Sequence, residues 1–173
     1  PPAVGAIFRA ICDRPLKGQG GMILRLPDEQ SGFLRQGKGL APGDVLLVQV
    51  TGLGEGGKAT PVTTRLLFKS RYAIVTPDAP GINIARSIRD EAERDRLLEI
   101  ANEGMHGAPE RFGLILRTAA EEVDEDALLE DITAMRGLAE AVVGDAEGGP
   151  ELLLAPLDAH ETAWRDWSVP DPD

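Results

Sequence analysis

Between Gly5 and Thr64 the chain is cut into short apolar runs by turn-forming residues, too closely spaced to leave room for a helix. The sharpest break is Ala41-Pro42-Gly43-Asp44, a turn sequence followed at once by the strand-like Val45-Leu-Leu-Val-Gln-Val50. Ahead of it, Gly5 to Cys12 alternates loosely and Met22 to Leu26 forms a run stopped by Pro27-Asp28. Gly32-Phe33-Leu34 makes a third short run. The glycine-rich stretch from Gly52 to Gly57 predicts a hairpin loop, with Lys58 to Thr64 as the returning strand. Five short strands with turns between them predict a small closed barrel.

A five-stranded barrel of the OB type can bind single-stranded nucleic acid on one face, through stacked aromatics and cations. Phe33 and Phe8 are the aromatic candidates here, Phe8 reading more naturally as core. Arg9, Arg25, Arg35, Lys38 and Lys58 are the cations. Gly54 to Gly57 is not a phosphate-cradling P-loop, because no Gly-Lys-Ser/Thr opens a helix after it. Overall charge argues against nucleic acid: the formal net charge is −11, whereas such binders usually carry a basic footprint. Any affinity for RNA therefore has to come from a local cationic patch.

From Arg65 the pattern changes to an α+β unit. Leu66 to Phe68 and Tyr72 to Thr76 predict strands joined by Lys69-Ser70-Arg71. Asp90 to Glu103 predicts a helix with Leu97, Leu98 and Ile100 as its apolar stripe and Gly104 as its cap. Asp90, Glu91, Arg94 and Arg96 are expected on a solvated, salt-bridged face. Asp124 to Val143 predicts a longer helix with Leu128, Leu129, Ile132, Met135, Leu138 and Val142 on one side, ended by Gly144.

Between the helices lies Arg111-Phe-Gly-Leu-Ile-Leu-Arg-Thr-Ala-Ala120. Its apolar centre predicts a buried strand, so Arg117 and Thr118 emerge where that strand ends. A guanidinium fork beside a hydroxyl offers donors suited to a phosphate, although an arginine at a strand end is more often a solvated charge. Asp124-Glu125-Asp126 is explained by helix-dipole complementarity rather than by a metal. His106 and His160 stand without partners at ligand spacing. The single cysteine, Cys12, excludes an internal disulfide and any multi-thiolate metal site within one chain, and suggests a reducing cytoplasm. After the linker from Asp145 to Pro150, Glu151 to Ala155 predicts a strand. Trp164 and Trp167 fall on one face of a short helix that starts at His160. With no initiator Met, signal peptide or membrane-length apolar run, the chain is expected to be a piece of a longer cytoplasmic protein.

The succession Gly43 to Thr64 (GDVLLVQVTGLGEGGKATPVTT), LLFKSRYAIVTPD, INIARSI and GLILRTA resembles the N-terminal half of the ribonuclease E/G family, from Gly5 onward and most closely between Gly43 and Ala120. The resemblance implies an endoribonuclease that prefers RNA with a 5′-monophosphate. It also implies an OB-type barrel inserted into a ribonuclease-H-like subdomain, beside a 5′-end sensor. By the same resemblance, Arg117 and Thr118 grip the terminal phosphate, Ile74 lies beneath the terminal nucleotide, and Ser70 replaces a glycine of the sensor turn. Phe33 and Lys58 match RNA-touching barrel positions, with Arg25 beside them, and Ile23 stands where the family has a second aromatic.

The implied organisation is a barrel over residues 1–64, a sensor-like α+β subdomain over 65–143, and a linker with part of a ribonuclease-H-like segment over 144–173. Family catalysis uses magnesium-holding aspartates in a later subdomain that nothing after Glu151 resembles. The family's zinc-sharing cysteine pair is also missing. This chain is therefore expected to bind rather than cut, with no catalytic residue, metal or cofactor of its own. Its expected partners are single-stranded, 5′-monophosphorylated RNA and the remaining subdomains of its parent, with no membrane and with self-assembly left open. The alternative is a degenerate member acting as a protein-interaction module, motivated by the acidic balance, Ile23 and Ser70.

Overall fold

In the computed structural model Ala41 to Asp44 forms the turn that its residues dictate. The Asp44 amide donates to the Ala41 carbonyl at 3.0 Å, and Gly43 takes φ 96°, a left-handed value that its position after Pro42 requires. The structure describes residues 2–16, 18, 20–37, 39–54 and 58–155; Gln19, Lys38, His160, Trp164, Trp167 and most of the Gly54 to Gly57 loop lie outside them. The chain divides into two units, residues 1–64 with 146–173, and residues 65–145.

The first unit is a closed five-stranded barrel. Its strands are β1 (Ile7–Leu16), β2 (Gly21–Arg25), β3 (Ser31–Leu34), β4 (Val45–Val50) and β5 (Thr60–Thr63). They run in the order β1-β2-β3-β5-β4, and β4 pairs back onto β1. The pairings are antiparallel except that of β3 with β5. Residues that alternate inward, including Phe8, Ala10, Cys12, Met22, Leu24, Leu34, Val48 and Val62, form the core. Each large side chain among them contributes about 1.5–3 kcal/mol relative to exposure. Burial also raises the pKa of the Cys12 thiol, with the Asp44 carboxylate adding to the effect.

A further strand, β10 (Glu151–Leu154), pairs with the first residues of β1. This corrects the expectation for Arg9. Rather than standing free for a ligand, its side chain is 7% exposed and bonded to Glu151 at 2.6 Å and to the Gly149 carbonyl at 2.8 Å. The returning segment covers it, and nothing in the local sequence of β1 announces that.

The second unit is a four-stranded sheet covered on one face by two helices. Strands β6 (Phe68–Lys69), β7 (Ala73–Thr76), β8 (Gly81–Ile84) and β9 (Gly113–Leu116) lie in the order β6-β7-β9-β8. Only β8 and β9 run parallel. Helix α1 (Glu91–Gly104) is capped by the Asp90 carboxylate, which accepts from the Glu93 amide. Helix α2 (Glu125–Val143) is capped in the same way by Asp124. Among the described residues no helix is long and apolar enough to cross a membrane.

Several details differ from the sequence reading. The apolar stripe of α1 is Leu97, Ile100, Ala101 and Gly104, and Leu98 is 42% exposed. Gly104 is not a left-handed cap. A Cβ there would stand 2.7 Å from Cγ2 of Ile132, so the glycine lets α2 approach α1. Arg94 turns away from solvent and donates to the carbonyls of Ala85, Ile88 and Ile84. The strand expected at Leu66 to Phe68 shortens to Phe68–Lys69, and β8 is an element the sequence reading did not separate.

Candidate anion-binding site

The open face of the second sheet supplies the floor of the site. In register across it run Lys69, Ile74, Ile115 and Asn83, while Val75, Leu114 and Leu116 are buried. The C-terminal end of β9 brings Arg117 to the surface, its amide donating to the Tyr72 carbonyl at 2.7 Å. Beside it an open cleft of about 350 Å³ is lined by Arg71, Ala85, Ile115, Arg117, Thr118 and Ala119.

Each functional group on this cleft is held from behind. Nη1 of Arg117 donates to the Ser70 carbonyl at 2.6 Å, and among the described residues the guanidinium makes no ion pair. Most of its N–H groups thus remain available to a ligand. The Thr118 hydroxyl is hydrogen-bonded to that of Ser87. Arg94 braces the segment that carries Ser87, through the carbonyls on either side of it. The turn after Thr118 is tied down by α1. The Glu122 amide donates to Glu93 at 2.6 Å, and Arg96 bridges Glu93 and the Val123 carbonyl. Hydrogen bonding from Arg96 is the main cause that lowers the Glu93 carboxyl to about 2, so the clamp is ionised throughout the neutral range.

The side chain of Ser70 does not line the cleft. It is buried, accepts from the Ala73 amide at 3.0 Å and is bonded to Asp131, so its carbonyl alone reaches the site, through Arg117. Ile74 sits one strand away from the lining, as the register partner of Ile115. Arg71 and Ser87 are additions that the sequence reading missed. Arg71 lay in a polar turn, and only the β7–β9 register carries it to this strand end.

On the barrel, Phe33 and Ile23 are direct cross-strand partners, but Ile23 is buried at 9% exposure, whereas Arg25 is exposed two residues along β2. Phe33 is half-buried with its ring over Gly21, where a Cβ would stand 2.5 Å from the ring. Lys58 is exposed ahead of β5, and Arg14, also exposed, pairs opposite Ile23. This face therefore carries one aromatic ring, flanked by an aliphatic side chain and cations. Among the described residues no three His, Cys, Asp or Glu side chains converge as metal ligands.

Comparison with known proteins gives a consistent pattern. The sequence profile of the Ribonuclease E/G family matches residues 68–172. Ribonuclease E of Synechocystis sp. is 32% identical over 94% of this chain and 26% of its own length. Ribonuclease E of Nostoc sp. is 33% identical over 73% of this chain and 18% of its own length. Ribonuclease G of Escherichia coli is 35% identical over 54% of this chain and 19% of its own length. The chain thus spans about a quarter or less of each of these relatives.

Proposed function

Since the chain belongs to the ribonuclease E/G family, we propose that its second unit binds the 5′-monophosphorylated end of single-stranded RNA, within a cytoplasmic endoribonuclease. The observation that carries this reading is that one open cleft floored by Ile115 is lined by both Thr118 and the Arg117 guanidinium, which makes no ion pair among the described residues. A 5′-phosphate is a compact dianion with several acceptor oxygens. It suits a fork and a hydroxyl together, with each charge-assisted bond worth about 1.5–3 kcal/mol. The apolar patch of Ile115 and its partner Ile74 offers a surface for the terminal base. A 5′-hydroxyl end brings no such charge and loses most of this interaction.

The barrel adds a second, weaker contact along the strand. Phe33 stacks against a base, while Arg25 and Lys58 meet phosphates. Ile23, buried beside Phe33, adds no second aromatic ring. With a net charge of −11, binding is local and salt-sensitive.

Fluorescence anisotropy with matched 5′-phosphorylated and 5′-hydroxyl oligoribonucleotides tests this reading. The phosphorylated end should bind at least tenfold more tightly, and Arg117→Ala should remove the difference. Equal binding of both ends would defeat the reading. A complete lack of RNA binding at low salt, with a stable protein complex instead, would favour an interaction module.

A further inference from the structure

The cleft holds a second guanidinium for which the reading above has no task. Arg71 lines it together with Arg117 and Thr118. Ala73 opposes Leu116, and the Arg117 amide donates to the Tyr72 carbonyl, so the register continued one step sets Arg71 at the same strand end as Thr118. The Arg71 guanidinium lies 5.8 Å from the centroid of the Tyr72 ring, a cation–π contact that limits the wandering of a long side chain.

Positions 71 and 117 lie diagonally across an antiparallel pair, with about 5 Å between strands and about 3.4 Å along them. Their backbones are thus about 6 Å apart, a spacing at which two arginine forks have room either to share one anion or to take two adjacent ones. The cleft volume of about 350 Å³ falls at the lower end of the range for small-molecule sites. That is room for a nucleotide and more than a phosphate alone requires. One phosphate is already served by Arg117 and Thr118, so a ligand that uses the whole cleft carries a second negative group beyond the first sugar. In RNA that group is the phosphodiester linking the first nucleotide to the second.

We infer that Arg71 contacts this first internucleotide phosphate, which makes the cleft a reader of a 5′-phosphorylated dinucleotide end rather than of any 5′-phosphate. The inference rests on the proposed reading of the cleft as a 5′-end site. It adds the substrate class: chains of two or more nucleotides, with a nucleoside 5′-monophosphate as a weak ligand.

The test is a competition titration on the full chain with three probes: a nucleoside 5′-monophosphate, a 5′-phosphorylated dinucleotide and the same dinucleotide with a 5′-hydroxyl. The phosphorylated dinucleotide should bind about tenfold more tightly than the mononucleotide. Arg71→Ala should erase that advantage and leave mononucleotide binding unchanged. Arg111→Ala, which removes a charge near the opposite end of β9, should leave the advantage intact. The inference is overturned if Arg71→Ala keeps the advantage, if it weakens both phosphorylated probes equally, or if Arg111→Ala acts as Arg71→Ala does. If the wild-type chain binds the hydroxyl dinucleotide as well as the phosphorylated one, the 5′-end reading itself fails and this inference falls with it. Arg71 is exposed, and thermal melts of the variants verify that each is folded.

Discussion

Replacing Glu93 by Gln should loosen the turn behind Thr118, and the size of the effect should depend on pH in a calculable way. The wild-type carboxylate accepts from Arg96 at 2.9 and 2.8 Å and from the Glu122 amide at 2.6 Å. Its pKa falls from the ordinary 4.5 to about 2, chiefly through the Arg96 hydrogen bonds. At about 1.4 kcal/mol per pH unit this corresponds to roughly 3 kcal/mol before screening. The Arg96 side chain is 36% exposed, so solvent weakens the pair, and about 1–2 kcal/mol is the expected contribution. The folded-state pKa is depressed. The stabilisation is therefore complete above the unfolded-state value near 4.5 and is lost as pH falls through the folded-state value near 2.

Urea unfolding between pH 2.5 and 7.5, followed by hydrogen exchange of the β9 amides, measures this in the second unit alone. Glu93→Gln should be less stable by about 1–2 kcal/mol at pH 7, and the two curves should draw together towards the acid end. Equal stability at pH 7 would refute the argument, as would a deficit that persists undiminished at the lowest pH. Exchange at Glu122 should also quicken in the variant, since its amide loses a charged acceptor.

Other substitutions probe the elements that carry the two surfaces. Gly113→Ala would put a Cβ 1.9 Å from the Ala79 carbonyl oxygen and 2.8 Å from that of Gly81. Backbone cannot yield as a side-chain tip does, so a destabilisation of about 3 kcal/mol or more is expected by thermal or urea melting, with 5′-end binding lost alongside. Phe33→Leu should weaken binding of long oligoribonucleotides by about 1–2 kcal/mol in anisotropy titrations. It should leave the preference for a 5′-phosphate unchanged, because the proposed reading assigns that preference to the other unit. Glu151→Gln should destabilise the first unit, measured by urea unfolding, because it removes the carboxylate that meets the buried Arg9 guanidinium at 2.6 Å.

How much of this was legible in the sequence follows from the range of the forces involved. Barrel strands and turns are local signals, and Pro42-Gly43 with the apolar run after it located β4 without help from the rest of the chain. Arg117 and Thr118 were legible for the same reason, since a four-residue apolar strand fixes where the chain surfaces. Arg71 and Ser87 were not, because a turn residue gains its neighbours only when β7 and β9 settle on a register. Gly104 does end α1, but the reason for a glycine there, the close approach of Ile132 from a distant helix, was not legible. Arg9 looked like a barrel cation open to nucleic acid until β10 covered it, some 140 residues later in sequence. In each miss a long-range contact overrode a reasonable local reading.

The central claim is that a 5′-phosphate seats between the Arg117 fork and the Thr118 hydroxyl. It is tested most directly by following NMR shifts of the Arg117 Nε–H and of the Ile115 and Thr118 amides as a 5′-phosphorylated dinucleotide is added. The account predicts saturable shifts at these three residues, absent with the 5′-hydroxyl dinucleotide at the same concentration. Shifts confined to the barrel around Phe33, or identical for both ends, would contradict it.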